Sequence, residues 1–196
     1  MEKQPPLDAD RRITGTLFVL SAPSGTGKTT ICSQLCQLVP DLVFSVSSTT
    51  RSPRTGERPG IDYHFVSIAE FERKIEAGLW AEWARVHGNY YGTSAEFLDA
   101  ALVRRQTVLL DIDVQGARQI RKRYPDCVTV FIMPPSMEAL QTRLAARQTD
   151  DAATITKRLT NARDEISQKD QYQHIIVNDD LQTAVDEMVA LISQYR

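Results

Sequence analysis

Residues 22–29 read APSGTGKT and stand between a short apolar run, TLFVLSA, and a segment whose apolar residues recur at helical spacing. Glycines in a strand-to-helix turn let backbone N–H groups curl around phosphate oxygens, and the helix that follows presents the positive end of its dipole. Lys28 adds a point charge, and the Thr29 hydroxyl can hold Mg²⁺. The segment therefore predicts a P-loop, although Ala22 stands where the usual pattern has its first glycine. The alternative is a glycine-rich turn that binds nothing.

Four short runs rich in β-branched or aromatic residues are spread along the chain, with helical patterns between them. The runs cover residues 16–22, 107–113, 128–133 and 174–178. Such runs are typical of strands that are buried on both faces of a parallel sheet. Alternating strands and helices predict an α/β fold, here a P-loop NTPase-type parallel sheet core flanked by helices. A chain of 196 residues is long enough for one such domain with an inserted subdomain.

Residues 44–95 break this rhythm with serine, threonine, proline, glycine and aromatic residues. The stretch SVSSTTRSPRTGERPGIDYHF predicts mostly loops or edge strands, so the segment is interpreted as an insertion in which substrate specificity resides. Arg51 and Arg54 lie in this stretch with Pro53, which stiffens the loop. Two planar guanidinium groups can grip one phosphate, whereas ordinary solvated surface arginines are the alternative.

Asp111 and Asp113 stand at the end of the run TVLLDID. The two-residue period of a strand predicts that both carboxylates lie on one face near its carboxyl end, where open parallel sheets bind ligands. One carboxylate is then expected to orient Mg²⁺ or its water molecules, and the other to contact substrate. The alternative is a pair of solvated acids in a turn.

The composition argues against several function classes. Lys and Arg total 23 and Asp and Glu total 25, which gives a net charge of −2 and no reason to expect a nucleic-acid partner. The basic run at 118–123 is interpreted as a solvated helix face. Three scattered histidines and three cysteines argue against a zinc site. No segment has the apolar length of a signal peptide or membrane span, which predicts a cytoplasmic chain without a membrane partner.

Five motifs, found in this order, resemble those of the guanylate kinase family: SAPSGTGKTT, SVSSTTRSPR, GNYYGTS, LDIDVQGA and IVNDD. The resemblance extends from about Thr16 to Asp180, and it implies an ATP:GMP phosphotransferase that uses Mg²⁺, accepts dGMP as a second substrate and serves purine nucleotide metabolism. It also implies a core over residues 15–43, 96–135 and 165–196, a GMP-binding insertion over 44–95 and a helical lid over about 136–164. Residues 1–14 are expected to form a disordered tail.

The resemblance implies roles for individual residues at ATP, GMP and Mg²⁺. The expected ATP-binding residues are Ala22, Pro23, Ser24, Gly25, Thr26, Gly27, Lys28, Thr29, Thr30 and Asn178. The expected GMP-binding residues are Ser47, Arg51, Arg54, Tyr63, Glu82, Tyr91, Thr93, Asp111 and Asp113. The expected catalytic residues are Lys28, Arg51 and the lid residues Arg143, Arg147 and Arg158. The expected Mg²⁺ contacts are Thr29 and, through water, Asp111. Gln148 stands in the lid where the family usually has glycine.

The chemistry of guanine is consistent with the implied role of Glu82. Guanine presents two donors, N1–H and the 2-amino group, to which one carboxylate can accept in parallel, while the Ser47 hydroxyl can donate to O6. Adenine has an acceptor at N1 and no 2-amino group, so it would leave the carboxylate unpaired.

Two other classes of protein are alternatives to a GMP kinase: a catalytically silent scaffold that binds protein partners, and a kinase of related fold that acts on a sugar phosphate. A silent scaffold has no need of Lys28 and Thr29, and a sugar-phosphate kinase has no need of Glu82 with Ser47. The sequence carries no motif that decides whether the chain forms a homo-oligomer.

Overall fold

The computed structural model describes residues 15–86, 88–146 and 151–196. In chain order, the elements are β1 (Thr16–Ser21), α1 (Lys28–Leu38), β2 (Leu42–Phe44), β3 (Ser48–Thr49), β4 (His64–Phe65), α2 (Ile68–Glu76), β5 (Trp80–Val86), β6 (Asn89–Ser94), α3 (Ala95–Val103), β7 (Thr107–Asp111), α4 (Val114–Arg123), β8 (Val128–Met133), α5 (Met137–Ala146), α6 (Ala152–Ile166), a 3₁₀ turn (Lys169–Gln171), β9 (His174–Val177) and α7 (Leu181–Gln194).

Five strands form one parallel sheet in the order β2-β7-β1-β8-β9. The three central strands are almost wholly buried, as their apolar runs predict. Helices α1 and α7 pack on one face of the sheet, around Phe18 and Leu35, and α3 and α4 cover the other face, around Leu110 and Ile120. The predicted α/β class with a helix-flanked parallel sheet is therefore confirmed.

Two details of the predicted strands are wrong. Strand β7 ends at Asp111, and Asp113 instead forms the N-cap of α4, where its Oδ1 accepts a 2.8 Å hydrogen bond from the Gly116 N–H. Aspartate is a favoured N-cap, so the helix begins where a longer strand was expected. Strand β9 is not buried on both faces either, since Ile175 and Val177 are 44% and 47% exposed at the edge of the sheet.

A second sheet, in the order β4-β3-β6-β5, is formed by strands between residues 48 and 94. Strands β5 and β6 pair antiparallel with Glu82 opposite Thr93. Strands β3 and β4 have only two residues each, which fits the expectation of mostly loop, and β4 lies at an edge, whereas β3 pairs on both sides. This sheet lies inside the segment 44–95, whose action as a separate GMP-binding unit stays a prediction.

Helices α5 and α6 share a small apolar cluster of their own, formed by Leu140, Leu144 and Ala162. Both helices fall within the predicted lid. Arg147 and Gln148 lie outside the described residues, as does the predicted tail at 1–14. None of the described helices is both long and apolar enough to pass through a bilayer.

Candidate active site

The turn between β1 and α1 carries the predicted P-loop. Gly25 and Gly27 have φ angles of 94° and 96°, in the left-handed region that favours glycine. A Cβ atom at Gly27 would also lie 2.6 Å from the side-chain nitrogen of Asn178, so both conformation and space require glycine there. No side chain of the described residues caps the N-terminus of α1 at Gly27. The first N–H groups of this helix can therefore serve an anion.

Asn178 lies behind this turn and is only 4% exposed. Its Nδ2 donates a 2.7 Å hydrogen bond to the Thr26 carbonyl oxygen, and the Thr26 hydroxyl donates in turn to the Pro23 carbonyl oxygen at 2.7 Å. The buried amide thus supports the backbone of the turn from the end of β9. A contact between Asn178 and ATP stays a prediction.

Lys28 is the first residue of α1 and forms an ion pair with Asp111 at the end of β7. Its Nζ also donates to the Ile112 carbonyl oxygen at 3.1 Å. Burial lowers the pKa of Lys28, but the charge and hydrogen bond of Asp111, together with the charges of Cys32 and Asp113, leave the pKa raised. Lys28 therefore keeps its positive charge at neutral pH, at the place where the central strands end.

The donors near this lysine fit Mg²⁺ that arrives with a nucleotide. The Thr29 side chain is exposed on the first turn of α1, and Asp111 supplies a carboxylate. Within the described ranges, no three His, Cys, Asp or Glu side chains are grouped so that they could hold a metal. Mg²⁺ commonly binds one or two protein oxygens together with substrate phosphates and water, so a full protein cage is not needed.

Arg51, Tyr63 and Tyr91 lie together within the segment 44–95. The guanidinium carbon of Arg51 lies 5.4 Å from the Tyr63 ring centroid, and the two tyrosine rings meet edge to face at 6.0 Å. Burial raises the pKa of Tyr63, and the charge of Asp111 raises it further, which places the tyrosine within electrostatic range of the Lys28–Asp111 pair. Three of the predicted GMP residues thus lie close to one another, and their contact with GMP stays a prediction.

Glu57 is a member of this cluster that no sequence motif indicates. Its carboxylate accepts hydrogen bonds from Arg51 Nη2 at 2.8 Å, from Arg51 Nη1 at 3.0 Å and from the Arg54 backbone N–H at 2.7 Å. One acid therefore ties both predicted phosphate-binding positions together, although the Arg54 side chain itself is exposed. In the sequence, Glu57 is a glutamate three residues after Arg54. Nothing distinguishes it there from any other acidic residue in a polar loop.

Glu82 lies on β5 and is only 5% exposed. Its Oε1 accepts a 2.6 Å hydrogen bond from the Thr93 hydroxyl on β6. Burial raises the pKa of Glu82 to about 7, while the Thr93 hydrogen bond lowers it and the charge of Asp113 raises it. Donors that favour the charged form would stabilise a buried carboxylate whose pKa is raised in this way. Ser47, half-buried, precedes β3 of the same sheet.

Two of the predicted lid arginines lie beside the P-loop. Arg143 on α5 donates from Nη1 to the Asn178 carbonyl oxygen at 2.9 Å and from Nη2 to the Asp179 carbonyl oxygen at 3.2 Å. Arg158 on α6 is 3.5 Å from the Ser24 hydroxyl. The structure therefore brings these two arginines to the rim of the predicted ATP site from different helices.

Comparison with known proteins identifies one family. The family model described as guanylate kinase matches residues 14–195. The guanylate kinase of Chromohalobacter salexigens is 52% identical over 93% of this chain and 85% of its own length. That of Syntrophotalea carbinolica is 51% identical over 91% of this chain and 85% of its own length.

Solved structures show the same relationship. The crystal structure of guanylate kinase from Anaplasma phagocytophilum matches with a TM-score of 0.77 and 36% identity, over 92% of this chain and 86% of that one. Shikimate kinase from Bacteroides thetaiotaomicron matches with a TM-score of 0.50 and 13% identity, over 91% of this chain and 98% of that one, which shows a shared fold only. The match over nearly the whole chain, in sequence and in structure, shows that this chain belongs to the guanylate kinase family.

Proposed function

We propose that this chain is a cytoplasmic enzyme that transfers the γ-phosphoryl group of ATP to GMP or dGMP. The observation that carries the proposal is the presence of two groups of residues suited to phosphate: Lys28 paired with Asp111, and Arg51 clustered with Tyr63 and Tyr91. Lys28 lies at the start of α1, and the charge of Asp111 raises the pKa of both Lys28 and Tyr63, so the two groups share one electrostatic environment. A donor phosphate and an acceptor phosphate would meet between them.

On the donor side, the P-loop N–H groups and the N-terminus of α1 would receive the ATP phosphates. Lys28 would place its charge at the β- and γ-phosphates, while Thr29 and, through water, Asp111 would hold Mg²⁺. Bound Mg²⁺ neutralises part of the phosphate charge. Asn178, which supports the Thr26 carbonyl, would keep the turn in its receiving conformation.

On the acceptor side, the phosphate of GMP is largely dianionic near neutral pH because its second pKa is about 6. Its oxygen can therefore attack the γ-phosphorus in line without an enzymic base, as the bond to the β,γ-bridging oxygen breaks. Arg51, Tyr63 and Tyr91 would hold this phosphate, with Arg54 as a second cation. Arg51 Nε is buried without a hydrogen-bond partner in the described part of the chain, and a phosphate oxygen would satisfy it.

Specificity for guanine would come from Glu82. Its carboxylate can accept from N1–H and from the 2-amino group. These two donors favour the charged form of Glu82 and so offset the burial that raises its pKa.

Closure of α5 and α6 would bring Arg143 and Arg158 onto the transferring group and exclude water.

A coupled assay of ADP release tests the proposed function. ADP should form rapidly from MgATP with GMP or dGMP, slowly with AMP or UMP, and barely at all without an acceptor. A silent scaffold would release no ADP, and a nucleotide switch would hydrolyse ATP slowly whether or not GMP is added. A sugar-phosphate kinase would ignore GMP, so absence of GMP-dependent ADP release would overturn the proposal.

Glu57→Gln should raise KM for GMP by about tenfold, with a smaller change in kcat and none in KM for ATP. The amide keeps one acceptor but turns a donor toward donors of Arg51 or Arg54, so the Arg51 guanidinium loses its fixed orientation. Steady-state kinetics with each substrate varied in turn give the result. Glu70→Gln is the matched control, since Glu70 pairs with Lys74 on the surface of α2. A KM for GMP that stays unchanged in the Glu57 variant would show that Arg51 does not depend on it.

A further inference from the structure

Strand β5, which carries Glu82, is hydrogen-bonded to helix α4 of the core. Gln119 on α4 accepts from the Trp83 N–H at 3.2 Å and donates from its side-chain nitrogen to the Trp83 carbonyl oxygen at 2.7 Å. The glutamine side chain thus satisfies backbone groups on the free edge of the second sheet. The position of Glu82 relative to α4 is therefore fixed by direct contacts.

Gly116 lies three residues before Gln119, so both lie on the same face of α4. A Cβ atom at Gly116 would be 2.5 Å from Glu82 Oε2 and 3.1 Å from the carboxyl carbon of Glu82. Carbon and oxygen atoms that are not bonded do not approach this closely. The carboxylate therefore occupies the space that a side chain at position 116 would fill.

The backbone at Gly116 does not itself require glycine. Its φ is not in the left-handed region, and glycine within a helix is less stable than alanine there. The third neighbour of an added Cβ atom, the Ile112 Cβ, would be 3.4 Å away, an ordinary contact distance. Among the described residues, the obstacle to a side chain is thus the end of the Glu82 side chain and not the backbone.

Displacement of this side-chain end would leave the fold intact but change how Glu82 presents its carboxylate. Glu82 Oε1 accepts a 2.6 Å hydrogen bond from the Thr93 hydroxyl. If Oε2 is displaced, the whole carboxylate must rotate, which distorts or breaks this hydrogen bond. We infer that Gly116 is a positioning residue for guanine recognition, because its bare Cα leaves the space in which the Glu82 carboxylate is aimed at the base. This inference rests on the proposed role of Glu82.

Gly116→Ala should lower kcat/KM for GMP by about 10- to 100-fold, the cost of misplacing one charge-assisted acceptor. KM for ATP should not change, and the variant should remain folded, since the gain in helix stability from alanine offsets part of the cost of disturbing the Glu82–Thr93 hydrogen bond. Gln115→Ala, at an exposed neighbouring position of α4, is the control and should behave as wild type. A Gly116→Ala enzyme with wild-type kcat/KM for GMP would overturn the inference.

The double variant Glu82→Ala/Gly116→Ala separates positioning from packing. Once the carboxylate is gone, the added methyl group has no partner to displace, so it should change the residual GMP turnover by less than about twofold. An equal loss in both backgrounds would mean that Gly116 acts independently of Glu82. If Gly116→Ala fails to fold, the double variant should fold. If neither variant folds, the glycine is required for helix packing and the inference is wrong.

An error in the proposed function would be seen separately, because the wild type itself would then show no turnover of GMP.

Discussion

Lys28→Ala should reduce kcat for GMP phosphorylation by several orders of magnitude while the affinity for GMP changes little. Positioning and charge neutralisation supply almost all of the catalysis in phosphoryl transfer, and Lys28 is the positive charge at the proposed donor site. Its removal also leaves Asp111 without its ion-pair partner, which places an uncompensated negative charge beside the ATP phosphates. The acceptor contacts proposed for Arg51 and Tyr63 do not involve Lys28 and should remain.

Three measurements decide this prediction: kcat with both substrates saturating, the dissociation constant for GMP by calorimetry, and the unfolding midpoint. Lys28→Met keeps most of the side-chain volume, so a similar loss in both variants assigns the effect to charge. Lys122→Ala, on the exposed face of α4, is the control for removal of a lysine. Turnover near the wild-type rate in either Lys28 variant would mean that the predicted P-loop is not the donor site.

The core could be predicted from the sequence because buried parallel strands have a strong local pattern. The run at 128–133 corresponds to β8, and the run that precedes the glycines corresponds to β1 with one residue fewer. Strand ends are harder to predict, since an aspartate that ends a strand and one that caps the next helix look alike in sequence. The predicted strand includes Asp113 for that reason, although this residue still lies near the end of β7.

Contacts between distant segments could not be predicted in the same way. The hydrogen bonds between Glu57 and Arg51 and between Gln119 and Trp83 depend on how a loop folds and on how a helix packs against a sheet edge. Neither pair of residues has the sequence spacing of a helix or a strand. The space at Gly116 is set by Glu82 on another element. The family motifs indicate which residues belong to the candidate site, and their contacts with substrate stay a prediction. The orientation and partners of these side chains required the three-dimensional structure.

Glu82→Ala should lower kcat/KM for GMP by about 10² to 10⁴, because two charge-assisted hydrogen bonds of about 1.5 to 3 kcal/mol each are lost. The low activity with AMP should barely fall, since adenine makes no use of the carboxylate. Glu82→Gln should be intermediate or nearly as impaired, because its amide retains one acceptor but turns a donor toward a donor of the base. Kinetics with GMP and AMP at saturating MgATP measure both effects.

The pH at which these variants are compared matters, because burial raises the pKa of Glu82 to about 7 in the free chain. Below that pH the carboxyl is increasingly protonated, and GMP binding must first remove the proton, so the preference for GMP over AMP should fall as the pH drops from about 8 to about 6. The ratio of kcat/KM for GMP to that for AMP cancels the second ionisation of the phosphate, which both nucleotides share. In Glu82→Ala this ratio should be small and independent of pH. A loss of GMP activity below about tenfold in the folded alanine variant at about pH 8 would remove Glu82 from guanine recognition.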